Sequence, residues 1–482
     1  LSLNLQTAEY GPQKKRSFPT LDLTRNIDRV IDRYKILVGG QDAAAAFYRN
    51  QFGQLFAYVS HRIPEISDEL FRIDDAMRSG FGWEHGPFQI WDAIGVEKGV
   101  KLAEESGYPV ADWVREMLAN GTTAFYKVDD GRSTYFVPSN ANYSSIPGTE
   151  DFINLEELRH SKTLWKNDEC SIIDLGDGII DFEIHSKMNT LGSGVLSGLN
   201  RAFDLAEKEY DGLVIGNQGA NFSAGANLAM IFMMATEQEW DELNFAIRYF
   251  QNTVMRVRYS DVPVVVAPHG LTLGGGCEMS LHADAVQAAA ETYIGLVEVG
   301  VGVIPGGGGT KEMTLRAAER YVKDDVELNA LRENYLTIGM AKVATSAQEA
   351  FDHGIFLKGK DAYSVNKRRQ LTDAKRKALQ LAEAGYTRPL GRKVKVLGRQ
   401  ALGMFEAGAH AMFEGRYISE HDVKISRKLA YIMSGGDLSE AAEVSEQYLL
   451  DLEREAFLSL CGERKTLERI QHMLTTGKPL RN

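Results

Sequence analysis

The stretch Val262–Thr310 reads VPVVVAPHGLTLGGGCEMSLHADAVQAAAETYIGLVEVGVGVIPGGGGT. Its β-branched run, Val262–Val266, predicts a buried strand, and the glycines at 274–276 predict a tight turn. One acid follows at Glu278, and a second, Glu298, lies in a Gly- and Val-rich segment that ends in four glycines. Carboxylates in such apolar surroundings are unfavourable unless they are paired or used. The stretch therefore predicts a site where glycines let backbone N–H groups approach a ligand.

Four segments of the chain share a recognisable order and spacing. Gly270–Glu278 fits the pattern G-x-x-x-G-G-G-x-E, and Glu298–Thr310 fits E-x-x-x-G-x-x-P-G-x-G-G-T. Upstream, Asn221–Leu228 (NFSAGANL) is similar to F-x-A-G-A-D, and Ser186–Leu191 (SKMNTL) to K-x-N-x-L. Together they resemble the signature of the crotonase (enoyl-CoA hydratase/isomerase) superfamily over roughly the second half of the chain. The resemblance implies an α/β (α+β) fold with a crotonase-like ββα spiral core.

The resemblance also implies which residues act. Addition of water to a 2-enoyl thioester passes through an enolate-like state, which two backbone N–H groups stabilise. By resemblance these belong to Ala224 and Gly275. The two acids form a general acid–base pair, in which Glu298 handles the C2 proton and Glu278 orients and activates water. The implied CoA-binding residues are Lys187, Met188, Ala226 and Asn227. Hydration needs no cofactor, and no metal ligands are predicted.

Taken singly, these residues also fit ordinary structural roles. Gly275 fits a tight turn, Glu278 the first turn of a helix, Glu298 a surface acid, and Lys187 a solvated lysine. The sequence departs from the family where Asn227 replaces an aspartate, which keeps helix-capping ability and loses the charge. The joint presence of the four segments favours the catalytic roles.

The first part of the chain predicts helices. Apolar residues recur at helical spacing in Leu21–Leu37, Gly40–Ile63 and Ser67–Ser79. Phe81–Gly95 (FGWEHGPFQIWDAIG) fits the pattern F-G-x-x-x-G-P-F-x-x-x-D. This resembles the C-terminal helical domain of 3-hydroxyacyl-CoA dehydrogenases and implies an N-terminal all-α domain of that type. A packed corner between helices explains the same residues without any family.

We predict three domains: residues 1–165 as the dehydrogenase-like helical domain, 166–390 as the crotonase-like core, and 391–482 as C-terminal helices. The last of these helices is predicted over Val444–Leu474, with Ser445 as its cap. Residues 129–167 predict irregular structure between the halves. No strand–GxGxxG–helix unit opens the chain, and the glycines of Gly192–Gly198 read as helix-start packing. We therefore expect a bacterial or archaeal dehydrogenase/hydratase fusion that lacks its NAD-binding domain, so that NAD serves only through that missing part.

Composition excludes several partners. The formal net charge is −12, from 54 basic and 66 acidic residues, which argues against nucleic acid or an anionic membrane as main partner. No apolar run reaches the ~18 residues of a membrane span. Cys170, Cys277 and Cys461 show no metal or redox spacing, which favours a reducing cytoplasm. A homo-oligomer and docking with an NAD-binding domain both stay open.

Three functions fit the sequence. The first is a 2-enoyl-CoA hydratase of fatty-acid β-oxidation within a bifunctional 3-hydroxyacyl-CoA dehydrogenase/enoyl-CoA hydratase. The second is an enoyl-CoA isomerase, which would tolerate loss of Glu278. The third is a non-catalytic acyl-CoA-binding scaffold. The two acids and the two small residues at the N–H positions favour the first, whereas the acyl chain length is not encoded in any motif.

Overall fold

The computed structural model describes residues 1–13, 16–25, 27, 29–129, 132–322 and 326–482. The chain forms two compact units, Leu1–Glu150 and Asp151–Asn482. None of the helices in the described residues is long and apolar enough to cross a membrane. The three-domain division at residues 165 and 390 stays a prediction.

The first unit is mostly helical, as its apolar periodicity predicts. Its helices are α1 (Pro19–Thr24), α2 (Val30–Gly39), α3 (Ala43–His61), α4 (Leu70–Phe81), α5 (Pro87–Ile94), α6 (Val96–Glu105) and α7 (Asp112–Ala119). The predicted helix Leu21–Leu37 is divided between α1 and α2, and residues 26 and 28 within it lie outside the described residues. Stacked rings of Phe56 and Trp91, with centroids 4.7 Å apart, lie in the core of this unit.

The segment Phe81–Gly95 is exposed at its start, residues 81–84, and is largely buried from Gly86 onward, where it enters α5. The Asp74 carboxylate accepts an N–H from the first turn of α5 at 2.9 Å and the Tyr126 hydroxyl at 2.8 Å. Asp92, the last residue of the sequence pattern, accepts the Tyr126 N–H at 2.8 Å. These bonds hold α4, α5 and Tyr126 together. Among the pattern residues, Pro87 and Phe88 are buried and Asp92 accepts backbone N–H groups, whereas Phe81 is exposed.

A small antiparallel sheet corrects the prediction of irregular structure for residues 129–167. The strands of the first unit are β1 (Ser2–Leu3), β2 (Tyr10–Gly11), β3 (Tyr126–Asp129), β4 (Arg132–Val137) and β5 (Asn142–Ser145). Strands β3, β4 and β5 pair in order, while residues 130 and 131 at the first turn lie outside the described residues. Tyr135 and Phe136 are buried, so aromatic packing on the sheet outweighs the turn-rich composition.

The second unit is built around a sheet whose seven described strands follow the order β16-β14-β12-β10-β8-β7-β6. Strands β16 to β8 are parallel, and β8, β7 and β6 are antiparallel. The strands of this unit are β6 (Thr163–Lys166), β7 (Cys170–Asp174), β8 (Ile179–Ile184), β9 (Thr190–Leu191), β10 (Gly212–Gly216), β11 (Gly225–Ala226), β12 (Val264–Val266), β13 (Gly270–Leu273), β14 (Ala285–Ala289), β15 (Thr292–Gly295), β16 (Ala362–Ser364), β17 (Lys393–Val396) and β18 (Ala442–Ser445). The mixed α/β fold class is thereby confirmed.

Helices cover both faces of this sheet. They are α8 (Leu155–Leu158), α9 (Ser193–Glu209), α10 (Leu228–Thr236), α11 (Trp240–Arg258), α12 (Gly275–His282), α13 (Gly309–Ala318), α14 (Glu327–Gly339), α15 (Ala347–Asp352), α16 (Gln370–Glu383), α17 (Arg399–Glu414), α18 (Glu420–Met433), α19 (Glu446–Cys461) and α20 (Arg464–Thr476). Side chains alternate along the strands, so Val264 and Val266 enter the main core while Val265 packs with Leu371 of α16. The β-branched run is therefore a strand buried on both sides.

The C-terminal part corrects the prediction of one long helix over residues 444–474. The structure has a strand, β18, and then two helices separated at Gly462–Glu463. Ser445 caps α19 as predicted, because its hydroxyl accepts the Tyr448 N–H at 3.1 Å. Helix α19 packs against α11 and α13, which brings it to the glycine-rich stretch.

Candidate active site

Three of the sequence motifs lie side by side because Ser223 joins them. Its hydroxyl donates to the Asn189 carbonyl at 2.7 Å. Its N–H donates to the Leu271 carbonyl, and its carbonyl accepts the Leu273 N–H, both at 3.0 Å. The SKMNTL, NFSAGANL and GGGCE segments therefore form one backbone-built site, as their shared resemblance predicts.

Gly275 is the first residue of α12, and the helix dipole points positively toward this end. A Cβ here would lie 2.9 Å from Phe250 Cζ and 3.0 Å from Leu191 Cδ1, so only glycine fits. The backbone of Gly225 also comes close, since a Cβ there would lie 3.4 Å from the Gly275 nitrogen. The structure thus brings the two glycine turns together, while the oxyanion role of Gly275 stays a prediction.

Ala224 does not present a free donor in this structure. Its N–H donates to the Met188 carbonyl at 3.2 Å, a contact that the sequence pattern did not reveal. The next strand residues, Gly225 and Ala226, pair with Thr190 and Leu191 in the parallel β9–β11 ladder. The predicted role of Ala224 therefore lacks support from the geometry, because the group it needs is already used.

Glu278 lies in the first turn of α12 and is buried. Its Oε1 accepts the Gly307 N–H at 2.8 Å and the Gly309 N–H at 2.9 Å. Burial raises the pKa of Glu278 to about 7, although these two N–H groups and the charge of Lys311 act to lower it. A Cβ at Gly307 would lie 2.6 Å from Glu278 Oε2, which explains a glycine at this position. The glycine run after Pro305 is thus a cradle for this carboxylate.

Glu298 begins a short 3-10 turn, Glu298–Val301. The residue is partly exposed, but its Oε2 is buried and has no hydrogen-bond partner among the described residues. Its Oε1 lies 2.9 Å from where a Cβ of Gly274 would stand, which places the carboxyl beside the GGGCE turn. Burial, followed by the charge of Glu278, raises the pKa of Glu298 well above its ordinary value. The structure therefore does not support the reading of Glu298 as a solvated surface acid.

A third carboxylate, Glu453 of α19, belongs to the same group and was not predicted. It is fully buried, with Oε1 accepting the Gly308 N–H at 2.6 Å and Oε2 the Lys311 N–H at 3.1 Å. Burial and the charge of Glu278 raise the pKa of Glu453 to about 8. We call Glu278, Glu298 and Glu453 the acid cluster. The signal that could have found Glu453 is its place on the apolar stripe of α19, which it shares with Leu449, Leu450, Ala456, Phe457 and Leu460.

Behind the acid cluster lies a second buried group, which we call the ion-pair cluster. The Lys311 ammonium contacts Glu446 at 2.8 Å, Glu312 at 3.2 Å and His282 Nε2 at 2.8 Å. Arg258 pairs with Glu312 at 2.5 Å. Although burial acts in the opposite direction, these cations hold the pKa of Glu312 well below its ordinary value. Lys311 and Glu312, which are neighbours in the sequence, therefore pair with each other.

The proposed CoA-binding residues lie around the same motifs. Lys187 and Met188 are exposed in a 3-10 turn, and Met188 has a φ of 57°, a left-handed conformation uncommon for methionine. Asn227 caps α10 by accepting the Met230 N–H at 3.3 Å, which confirms the predicted capping ability. Ala226 is partly buried in β11. Their role in binding CoA stays a prediction.

The glycines of Gly192–Gly198 do not fit a dinucleotide. The Glu169 carboxylate accepts the Val195 N–H at 3.0 Å and so occupies the N-terminus of α9. A Cβ at Gly194 would collide with this carboxylate. An acid in that place repels a phosphate, and this segment is packing at a helix start, as predicted.

Comparison with known proteins agrees with the motifs. The sequence model of the enoyl-CoA hydratase/isomerase family matches residues 175–358. A Bacillus subtilis protein named as a probable 3-hydroxyacyl-CoA dehydrogenase is 43% identical over 477 residues, which cover 99% of this chain and 60% of that protein. A Rickettsia felis protein with the provisional name of a fatty acid oxidation complex trifunctional enzyme is 25% identical, covering 87% of this chain and 51% of its own length. The solved enoyl-CoA hydratase of Bacillus halodurans, 14% identical, covers 63% of this chain and 99% of its own with a TM-score of 0.43.

The chain spans 60% of the length of its Bacillus subtilis relative. Because that dehydrogenase aligns with 99% of this chain, the comparison does not support our expectation that an NAD-binding domain is missing from the protein. The family match and the four motifs both lie in the second unit. Residues 175–358 carry an enoyl-CoA hydratase/isomerase domain of the crotonase superfamily.

Proposed function

We propose that this chain is an enoyl-CoA hydratase, which adds water reversibly to trans-2-enoyl-CoA and gives 3-hydroxyacyl-CoA. The observation that carries the proposal is a pair of carboxyl groups beside the glycine turn that begins with Gly274: the buried Glu278, and Glu298, whose Oε2 is buried. Their surroundings differ, since Glu278 receives two N–H groups and Glu298 Oε2 receives none from the described residues. Two carboxylates whose environments separate their pKa values suit one acid role and one base role.

The difference between the two pKa values assigns the base role to Glu278 and the acid role to Glu298. With a pKa of about 7, Glu278 is substantially ionised at neutral pH and is able to take a proton from water as its oxygen bonds to C3. Glu298, whose pKa is raised further by the charge of Glu278, keeps its proton and delivers it to C2. The product gains one hydrogen and one hydroxyl, and the proton taken by Glu278 returns to Glu298 to complete the cycle. In this scheme the Gly275 N–H stabilises the thioester oxygen.

The wider assignment rests on the named relatives. We infer that the hydratase belongs to a bifunctional 3-hydroxyacyl-CoA dehydrogenase/enoyl-CoA hydratase of fatty-acid β-oxidation in the cytoplasm, because a dehydrogenase relative aligns with almost the whole chain. NAD would serve that dehydrogenase reaction only, and hydration needs no cofactor. CoA would be held by Lys187, Met188, Ala226 and Asn227.

Loss of the enoyl-thioester absorbance of crotonyl-CoA tests the proposal. We expect the wild type to hydrate it, and Glu298→Gln and Glu278→Gln each to lower kcat about 10²- to 10⁴-fold, the range of general acid–base catalysis. The matched control is Glu291→Gln, which changes an exposed acid near the second motif and should keep full activity.

Two results would overturn the hydratase proposal. If the wild type converts 3-enoyl-CoA into 2-enoyl-CoA without hydrating it, and Glu278→Gln retains that activity, the site is an isomerase. If no enoyl-CoA turns over although acyl-CoA binds, the chain is a binding scaffold.

A further inference from the structure

The glycine run after Pro305 is held between two acids. Its successive N–H groups donate to the two acids in turn. Those of Gly307 and Gly309 donate to Glu278, and that of Gly308 donates to Glu453. The alternation requires Gly308 to adopt a φ of 98°, which side chains other than glycine rarely tolerate. The loop is therefore fixed from both sides by carboxylates of different helices.

Glu453 is itself fixed. It is fully buried on α19, and its Oε2 accepts the Lys311 N–H at 3.1 Å in addition to the bond to Gly308. The Gln251 amide donates to the Leu450 carbonyl at 3.0 Å and lies 3.5 Å from Glu453 Oε1. On its other side, the Gln251 Oε1 accepts an N–H of Arg454 at 3.0 Å. These contacts leave Glu453 in one position relative to the loop.

We propose that Glu453 is a positioning residue for the hydration reaction: by holding the Gly308 and Lys311 N–H groups, it keeps the Gly307 and Gly309 N–H groups on the Glu278 carboxylate. This inference rests on the proposed function, because Glu278 is taken as the group that activates water. A carboxylate that turns by a fraction of an ångström no longer aims at the attacking water, and such misplacement lowers the rate strongly.

The chemistry of the side chain supports a carboxyl group at this place, because each of its two oxygens faces one N–H group. A carboxylate can accept both N–H groups through its two oxygens, whereas a glutamine can accept only one and turns an NH₂ group toward the other. The charged groups that act on Glu453 or feel its charge are Glu278, Glu298 and Lys311. Once Glu453 ionises, above its pKa of about 8, its negative charge raises the pKa of Glu298 and so helps Glu298 to retain its proton.

The test compares Glu453→Gln with Glu455→Gln, an exposed acid two residues further along the same helix. For Glu453→Gln we expect kcat for crotonyl-CoA to fall about 10- to 100-fold with KM within about twofold, because binding groups are untouched. The alkaline limit of activity should move to lower pH, because Glu298 loses its proton more easily without the charge of Glu453. Glu453→Met, which accepts neither N–H, should lose more activity than Glu453→Gln.

A second readout does not depend on turnover. Infrared titration of the buried carboxyl groups, with Glu278→Gln to identify the band of Glu278, measures its protonation directly. In Glu453→Gln the midpoint of Glu278 should rise above about 7, because the loop N–H groups that lower its pKa no longer point at it. In Glu455→Gln the midpoint should not move.

The outcomes separate the two ideas. An unchanged infrared midpoint, or a kcat and pH profile equal to those of Glu455→Gln, overturns the positioning role even when hydration is confirmed. An inactive wild type overturns the hydratase proposal, while a raised Glu278 midpoint would still establish that Glu453 orients the loop. A fall in melting temperature with normal kcat in the folded fraction would show a structural role only, and would also overturn the inference.

Discussion

In two neighbouring groups of largely buried acids in the second unit, the pKa values are shifted in opposite directions. In the acid cluster, the pKa values of Glu278, Glu298 and Glu453 are raised. In the ion-pair cluster, the pKa values of Glu312 and Glu446 are lowered, although both residues are buried, as Glu278 and Glu453 are. Burial alone therefore does not decide whether the pKa of an acid is raised or lowered.

The difference comes from the groups that face each acid. The ion-pair cluster receives the cations of Lys311, Arg258 and Arg316, which favour the charged carboxylates. The acid cluster receives neutral backbone N–H groups, and its members repel one another. Acids of the first kind are permanent charges that hold elements together. Of the second kind, Glu278 and Glu453 exchange protons near neutral pH, which suits catalysis.

The largest expected effect breaks the ion-pair cluster. Lys311→Met leaves the buried carboxylates of Glu312 and Glu446 without their shared ammonium. Removing one partner of a buried ion pair typically lowers the free energy of unfolding by about 3–5 kcal/mol. Denaturant unfolding at pH 7 measures this in the transition of the second unit.

The matched control is Lys395→Met, which breaks a much more exposed pair with Glu327 and should change the free energy of unfolding by less than about 1 kcal/mol. The double variant Lys311→Met/Glu446→Gln should recover part of the loss, because one unpaired charge disappears. Equal stability of Lys311→Met and Lys395→Met would contradict the view that this cluster is structural.

The next effect concerns the acid cluster. Below its pKa of about 7, Glu278 becomes protonated and cannot take a proton from water. The value of kcat/KM for crotonyl-CoA should therefore fall about tenfold per pH unit on the acid side, and fall again at alkaline pH when Glu298 loses its proton. Because the three acids interact, the two limits belong to the cluster rather than to single residues.

Steady-state kinetics from pH 5 to pH 10 would check this profile. A flat kcat/KM between pH 5 and pH 7 would mean that Glu278 is not the group that must be ionised. Replacing Glu291 by Gln outside the cluster should leave both limits in place.

The sequence predicted the parts of this site that depend on local pattern. The strand at Val264–Val266 follows from a β-branched run, and the tight turn at Gly274–Gly276 follows from glycine spacing. The features that the sequence did not predict depend on the pairing of distant segments. Glu453 meets Gly308 across 145 residues, and nothing in the four motifs points to α19.

The backbone contact of Ala224 was not predicted from the sequence, for a related reason. Its N–H donates to the carbonyl of Met188, a residue with a left-handed φ. A motif names the residue but not the direction of its N–H group. The strand β4 escaped because its buried aromatic pair, Tyr135 and Phe136, stands among Gly, Ser and Asn residues that favour turns.

The smallest effect extends the comparison to an acid outside both clusters. Asp181 on β8 is fully buried, and neither carboxylate oxygen has a hydrogen-bond partner among the described residues. Burial, followed by the charge of Glu183, raises the pKa of Asp181 well above its ordinary value. The folded state thus holds a proton that the unfolded chain releases near pH 4. As pH rises above that value, the neutral form in the folded state becomes steadily less favourable relative to the ionised unfolded state.

Asp181→Asn removes this titration, so its melting temperature should exceed that of the wild type by a margin that grows from pH 4 to pH 8. Asp177→Asn gives the opposite sign, because the exposed Asp177 pairs with Lys375 and has a lowered pKa. Folding therefore favours the ionised form of Asp177. Its small stabilising effect is present near neutral pH and is lost as the pH falls through the lowered pKa. Melting curves of both variants across this range decide the question. If the margin for Asp181→Asn were constant with pH, Asp181 would not be held protonated by its surroundings, and the rule that an unpaired buried acid keeps its proton would fail at this position.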